Sequence, residues 1–181
     1  MLIPQESLKG KTLRNEHGIT LIELLIGLSI VITLAVVMGF QFTGWMKTYA
    51  VESEVKQMYT DIMNARMQAM AKNNCYFAVA TSTTYQFFQD KNGNCQYDAG
   101  TDTAMPGFTT AKTLAYPLVG PGGTIVMDSR GLFSGIIPPA TITIQVNTTS
   151  GTNVTADYDC ILLSQTRMNT GKMTGGSCVP K

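Results

Sequence analysis

The chain has 181 residues, of which 44% are hydrophobic and 14% charged, with 13 basic against 12 acidic side chains and a formal net charge of +1. That length allows one membrane helix and one small domain, and the balanced charge excludes a nucleic-acid binder that works by bulk attraction to phosphate. No P-loop and no dinucleotide-binding glycine pattern is present.

The chain begins with a short basic stretch carrying Lys9, Lys11 and Arg14, and then turns apolar after Gly18. Between Leu24 and Met46 there is no charged residue, and the next charge is Lys47. As a helix, residues 19–42 would span about 36 Å, enough for a hydrocarbon core of roughly 30 Å. The preceding basic residues predict a cytoplasmic N-terminus, and Trp45 and Tyr49 fall where interfacial aromatics are expected. No small-residue cleavage site follows the apolar core, so the segment is expected to be retained. Glu23 sits at the mouth of this run. A charge in lipid costs roughly 2.5–3.5 kcal/mol on insertion scales, so the carboxylate needs a partner or a purpose. An ordinary signal anchor would tolerate Glu23 by snorkelling, but would leave the order of residues around it unexplained.

That order is Gly18-Ile19-Thr20-Leu21-Ile22-Glu23-Leu24-Leu25, behind a basic leader. It resembles the cleavage and assembly signature of type IV pilins and type II secretion pseudopilins, with Ile19 where the family usually has Phe. The resemblance implies a cut by prepilin peptidase between Gly18 and Ile19 and N-methylation of the new Ile19 amine. It also implies an assembly segment of Thr20, Leu21, Ile22, Glu23 and Leu24. Glu23 lies four residues beyond the new ammonium on one helix face, near a helix N-terminus that favours negative charge. By resemblance it pairs with the N-terminal amine of a neighbouring subunit. The implied partners are the peptidase, other pilin or pseudopilin subunits, an inner-membrane assembly platform and membrane lipid. The implied location is the bacterial inner membrane, single pass, with a periplasmic C-terminal domain that later enters a filament.

Removing a leader of residues 1–18 would take three basic and two acidic residues, leaving ten of each. It would also remove His17, the only histidine. A chain without histidine has no Ser-His-Asp or Cys-His catalysis and lacks the commonest zinc ligand. We therefore expect no enzyme, no catalytic residue, no metal and no cofactor.

The helix is expected to continue beyond the membrane segment 19–45 through an amphipathic stretch 46–72. Val51, Val55, Met58, Ile62, Ala65 and Ala69 recur every three or four residues, with Glu52, Glu54, Lys56, Asp61, Arg66 and Lys72 largely on the other side. The methionines at 58, 63, 67 and 70 read as core filler. Asn73-Asn74 would end the helix. Many major pilins kink the membrane half with proline; Gly39-Phe40 stands there instead, which favours a minor subunit.

Residues 73–181 read as a globular β-domain. Tyr76–Ala80 and Tyr85–Gln89 form a predicted hairpin. Leu114–Leu118 precedes a turn at Gly120-Pro121-Gly122-Gly123, Thr124–Met127 follows, and Thr141–Val146 alternates as a half-buried strand should. Cys160–Leu163 is another strand. The fold class is thus α+β: a long N-terminal helix packed on a C-terminal antiparallel sheet or sandwich. Four cysteines, Cys75, Cys95, Cys160 and Cys178, permit three disulfide pairings in an exported domain. Spacing favours Cys75–Cys95 and Cys160–Cys178, the latter with two arms folding back around Asn169-Thr170-Gly171.

Gln89–Asn94 with Tyr97-Asp98 and Asp102, then Arg130-Gly131, then Ser164–Gly171, follow the hairpin in an order that resembles the GspH/FimT-type pseudopilin domain. Asp90-x-Asn92-x-Asn94 with Asp98 also looks like part of a calcium loop. An EF-hand would want Gly and Glu where Cys95 and Thr101 stand, so a turn held by Asn and Asp side chains is the better reading. The functional expectation is a structural minor pseudopilin or minor pilin. The alternatives are a minor pilin that binds DNA for uptake, through Arg167, Lys172 and Lys181, or a major pilin. Three dispersed cations make a weak phosphate footprint.

Overall fold

The structure, a computed structural model, describes residues 18–119, 123–134, 142–146 and 156–181. The basic leader with Lys9, Lys11, Arg14 and His17, the turn at residues 120–122 and Thr141 lie outside the described residues. The chain divides into two compact units, residues 1–41 and 42–181.

One helix, α1 (Leu21–Lys72), contributes to both units. In the first unit, every described side chain from Ile19 to Met38 is exposed, and the window Leu21–Met38 is long and apolar enough to cross a membrane. Two of its hydroxyls are satisfied locally. The Ser29 hydroxyl donates to the Ile26 carbonyl (2.7 Å) and the Thr33 hydroxyl to the Ser29 carbonyl (2.8 Å). Such back-bonding pairs the Ser29 and Thr33 hydroxyls within the helix itself.

In the second unit, α1 buries the expected stripe. Val51, Val55, Met58, Ile62, Ala65 and Ala69 are all inaccessible or nearly so, and form one cluster with Tyr76, Phe87, Met127, Phe133, Ile161 and Leu163. Two expectations fail here. Met67 and Met70 are about half exposed rather than core filler, whereas Met58 is buried and Met63 partly so. Asp61, assigned to the solvent side, is buried. The helix ends at Asn73, which takes the left-handed conformation (φ 49°), and the Asn74 N–H closes back on the Ala69 carbonyl at 3.1 Å. This is the six-to-one closure of a Schellman C-cap, with asparagine where glycine is usual.

The described residues form eleven strands: β1 (Tyr76–Ala80), β2 (Thr84–Gln89), β3 (Thr103–Ala104), β4 (Lys112–Thr113), β5 (Leu118–Val119), β6 (Thr124–Met127), β7 (Phe133–Ser134), β8 (Ile142–Val146), β9 (Cys160–Leu163), β10 (Met168–Thr174) and β11 (Ser177–Pro180). One sheet runs β3-β2-β1-β6-β7 with β4 also on β2; the other runs β11-β10-β9-β8-β5. Every pairing is antiparallel. The fold is therefore α+β, as the sequence pattern predicts. The β1–β2 hairpin has Phe77 opposite Phe88 and Ala80 opposite Tyr85, and the Thr81 hydroxyl accepts the N–H groups of Thr83 and Thr84 in the turn.

Two segments differ from expectation. Asn169–Gly171 is not a turn but the middle of β10, with Gly171 paired to Cys160 on one side and Pro180 on the other. The chain reverses instead at Gly175 and Gly176, both at positive φ, where glycine carries no Cβ penalty. Leu114–Tyr116 is not strand; Leu114 is buried, and the Ala115 and Tyr116 N–H groups donate to Glu54 of α1.

Candidate functional site

Gly18 and Ile19 lie just ahead of α1, and Ile19 is 74% exposed. Thr20 is the N-cap: its hydroxyl accepts the Glu23 N–H at 3.3 Å, and its carbonyl accepts the Leu24 N–H at 3.1 Å. Thr20-x-x-Glu23 is thus half of a capping box, a signal that two side chains three residues apart carry in the sequence. Leu21, Ile22 and Leu24 are all more than 60% exposed. This end of the helix presents a glycine, a capped first turn, one carboxylate and an uncovered apolar surface together. What it can do chemically is pack and pair.

The polar side of the second-unit helix holds loops rather than water. Glu54 accepts the N–H groups of Ala115 (2.7 Å) and Tyr116 (3.2 Å). Burial pushes its carboxyl up, against the downward pull of those donors. Glu52 accepts the Asp157 N–H at 2.9 Å. Arg66 donates to the carbonyls of Gly131 (2.6 Å) and Thr166 (3.0 Å). Asp61 is the hub. One oxygen accepts both the Tyr85 hydroxyl and the Lys112 ammonium, each at 2.7 Å, and the other accepts the Gln57 amide at 3.1 Å. Burial first, and then the bond to Asp61, pushes the Tyr85 phenol far up. Asp61 was missed because a lone Asp on a helix flank has no sequence signature; its partners lie 24 and 51 residues away. A groove of about 560 Å³ opens beside this hub, lined among others by Met46, Tyr49, Gln57 and Leu114.

All four cysteines are bonded, Cys75 to Cys95 and Cys160 to Cys178, with Cα separations of 5.4 and 6.1 Å. The second bond joins β9 to β11 across the intervening β10. Alternate strands of a flat sheet stand roughly 9.5 Å apart, so β11 leans over β10, and it does so at Gly171. A Cβ there would run into the Val179 backbone.

The loop after β2 is organised by its own side chains. Buried Asp90 accepts the N–H groups of Asn92, Gly93 and Cys95. Asp98 accepts the amides of Asn92 and Asn94, which hold its carboxyl down. Asp102 accepts the Lys91 and Asp98 N–H groups. Asp90 also lies close to Cys75 and Cys95, but those sulfurs are joined to each other and are not free thiolates. Of the three cations considered for DNA, Lys172 and Lys181 converge on Asp157, at 3.6 and 2.7 Å, and Lys181 foremost holds the Asp157 carboxyl down. Arg167 is exposed in the turn between β9 and β10. The structure does not gather these three cations into one phosphate-binding set.

No curated protein and no solved structure matches the chain. Residues 54–159 match the family described as type II transport protein GspH. That stretch runs from Glu54, through the hairpin, the Asp90–Asp102 loop and the Arg130-Gly131 turn, to Asp159 beside the second disulfide, and it is more than half of the chain. The chain belongs to the GspH family.

Proposed function

We propose that this protein is a structural minor pseudopilin of a type II secretion filament, and not an enzyme. Prepilin peptidase cuts between Gly18 and Ile19 and methylates the Ile19 amine. The apolar helix segment anchors the subunit in the inner membrane by a single pass, with its N-terminus cytoplasmic and its β-domain periplasmic. An assembly platform then moves it into the filament, where Glu23 pairs with the N-terminal ammonium of a neighbour. Thr20, Leu21, Ile22 and Leu24 supply the cap and the apolar contact around that pair.

The observation that carries this reading is the uncovered helix of the first unit. Leu21–Met38 is entirely unburied within the chain, yet it opens on a capped turn bearing one carboxylate. An apolar face of that size is stable only against lipid or other apolar helices, and a carboxylate among them requires a cation. The N-terminal signature and the family match at 54–159 do not overlap, so two separate stretches support one reading.

The test is the intact mass and N-terminal peptide of the membrane-extracted protein, with and without reductant. A chain beginning at N-methyl-Ile19 that gains four hydrogens on reduction is expected. A chain still beginning at Met1 beside an active prepilin peptidase would overturn the reading.

A further inference from the structure

Arg66 ties together two turns that are distant in sequence. Its Nε donates to the Gly131 carbonyl (2.6 Å), its Nη2 to the Thr166 carbonyl (3.0 Å), and its guanidinium lies 5.3 Å from the Phe133 ring centre. The Phe133 N–H donates to the Gln165 carbonyl at 2.9 Å as a second strap. The turn Asp128–Gly131 and the turn Ser164–Arg167 are therefore held side by side against the last turns of α1. Arg130 and Arg167, both exposed, adjoin in sequence the two residues, Gly131 and Thr166, whose carbonyls Arg66 holds. The acid among these residues, Asp128, is bonded to Arg130 at 2.8 and 3.0 Å.

Near these arginines on α1 lie two of the methionines that the core leaves out. Met67 is 54% and Met70 46% exposed. They are three residues apart and so are neighbours on the helix surface. Met70 abuts Gly131, where an added Cβ would stand 2.6 Å from its sulfur. Arginine and methionine are enriched at protein interfaces. Methionine adapts to an irregular partner surface, and arginine is among the residues that dominate binding energy there.

We propose that this end of the domain, Arg66, Met67, Met70, Arg130 and Arg167, is a docking surface for an acidic face of a neighbouring pilin-like subunit. The inference rests on the pseudopilin reading above and names the chemistry of one contact. Three guanidinium groups against one carboxylate select an acidic partner and disfavour a basic one. A nucleic acid fits less well. Three cations make few phosphate contacts, and binding through phosphates needs several. The exposed thioethers ask for an apolar contact in the middle of the acidic one.

The experiment places the photo-crosslinker p-benzoylphenylalanine at Met67, and separately at Met70, in the full-length protein in its native membrane. Val31 in the apolar helix serves as a control position. The expected result is an adduct to an acidic peptide of another pilin-like subunit. It should fall by about tenfold or more with Arg130→Glu plus Arg167→Glu and return when the crosslinked acid is changed to arginine. Both arginines are exposed, so the double variant should keep its two disulfides and its protease resistance. Arg130→Gln plus Arg167→Gln, which adds no negative charge, should give an intermediate loss. Adducts from Val31 but none from Met67 or Met70 would overturn the docking surface and leave the filament reading standing. No adduct to another subunit from any position would overturn both. Adducts indifferent to charge reversal, or salt-sensitive retention of duplex DNA lost with the same arginines, would overturn the acidic-subunit assignment.

Discussion

Gly171 and Asp61 show how single residues set the geometry of the domain. At Gly171 the neighbouring strand passes so close that even a methyl group meets the Val179 backbone. Backbone, unlike a flexible side-chain tip, cannot step aside. Gly171→Ala is therefore expected to destabilise the protein by about 2 kcal/mol, read as a lower unfolding midpoint in detergent-solubilised protein. Asp61 holds a tyrosine, a lysine and a glutamine at once. Asp61→Ala would orphan the Tyr85 hydroxyl and strand Lys112 beside the Phe108 ring, 4.6 Å from its centre. Lys112 stays partly solvated, so we expect a loss of roughly 2–3 kcal/mol. The same hub gives a pH dependence. The Tyr85 phenol is raised, chiefly by burial, so the folded state keeps a proton that the unfolded state releases above about pH 10. That stabilisation is complete below the ordinary tyrosine value and is lost as pH rises beyond it. Tyr85→Phe should flatten the decline in urea stability between pH 9 and 10.5; an unchanged slope would show that Tyr85 does not set it.

Among the elements, the strand pair β10–β11 depends most on covalent chemistry. The terminal Lys181 N–H reaches the Thr170 carbonyl (3.1 Å) and its ammonium reaches Asp157 (2.7 Å), but only Cys178 anchors β11 in the core. Replacing Cys160 and Cys178 by serine is expected to cost about 3 kcal/mol. Amide exchange should accelerate first at Val179 and Lys181, before the β1–β2 hairpin. The elements also show what a sequence can disclose. The stripe from Val51 to Ala69 and the β1–β2 hairpin were legible because both repeat a period over several residues. The segments β3, β4, β5 and β7 have two residues each, too few for any period, and exist only because longer strands offer them an edge. Asn169–Gly171 looked like a turn by composition. Its polar side chains instead face outward or half outward on a paired strand, and its glycine is there for the crossing of β11. At the candidate site, the order Gly18 to Leu25 was readable in full, whereas the Arg66 straps join residues 65 and 100 positions apart and leave no local trace.

At the scale of the whole molecule, the two units divide the work of the chain. Among the described residues, every member of the hydrophobic core lies at or beyond Val51, while the apolar segment Leu21–Met38 is unburied. The most hydrophobic stretch is thus itself unburied. Its removal should cost the second unit no core contact and should delete the surface that demands lipid or detergent. A fragment beginning at Phe42 is therefore expected to be soluble without detergent, to form both disulfides and to unfold cooperatively. Its midpoint should match that of the β-domain in the full-length protein to within a few degrees. The comparison is made by intact mass with and without reductant and by thermal unfolding of both proteins. Residues Gly44–Ala50, exposed but for the half-buried Thr48, would fray near the new helix start, but the first buried turn at Val51–Val55 is tied down by Glu52 to Asp157 and by Glu54 to Ala115 and Tyr116. A fragment that aggregates or fails to pair its cysteines would mean that the apolar helix helps the domain to fold, and that membrane insertion and domain stability are coupled in this chain.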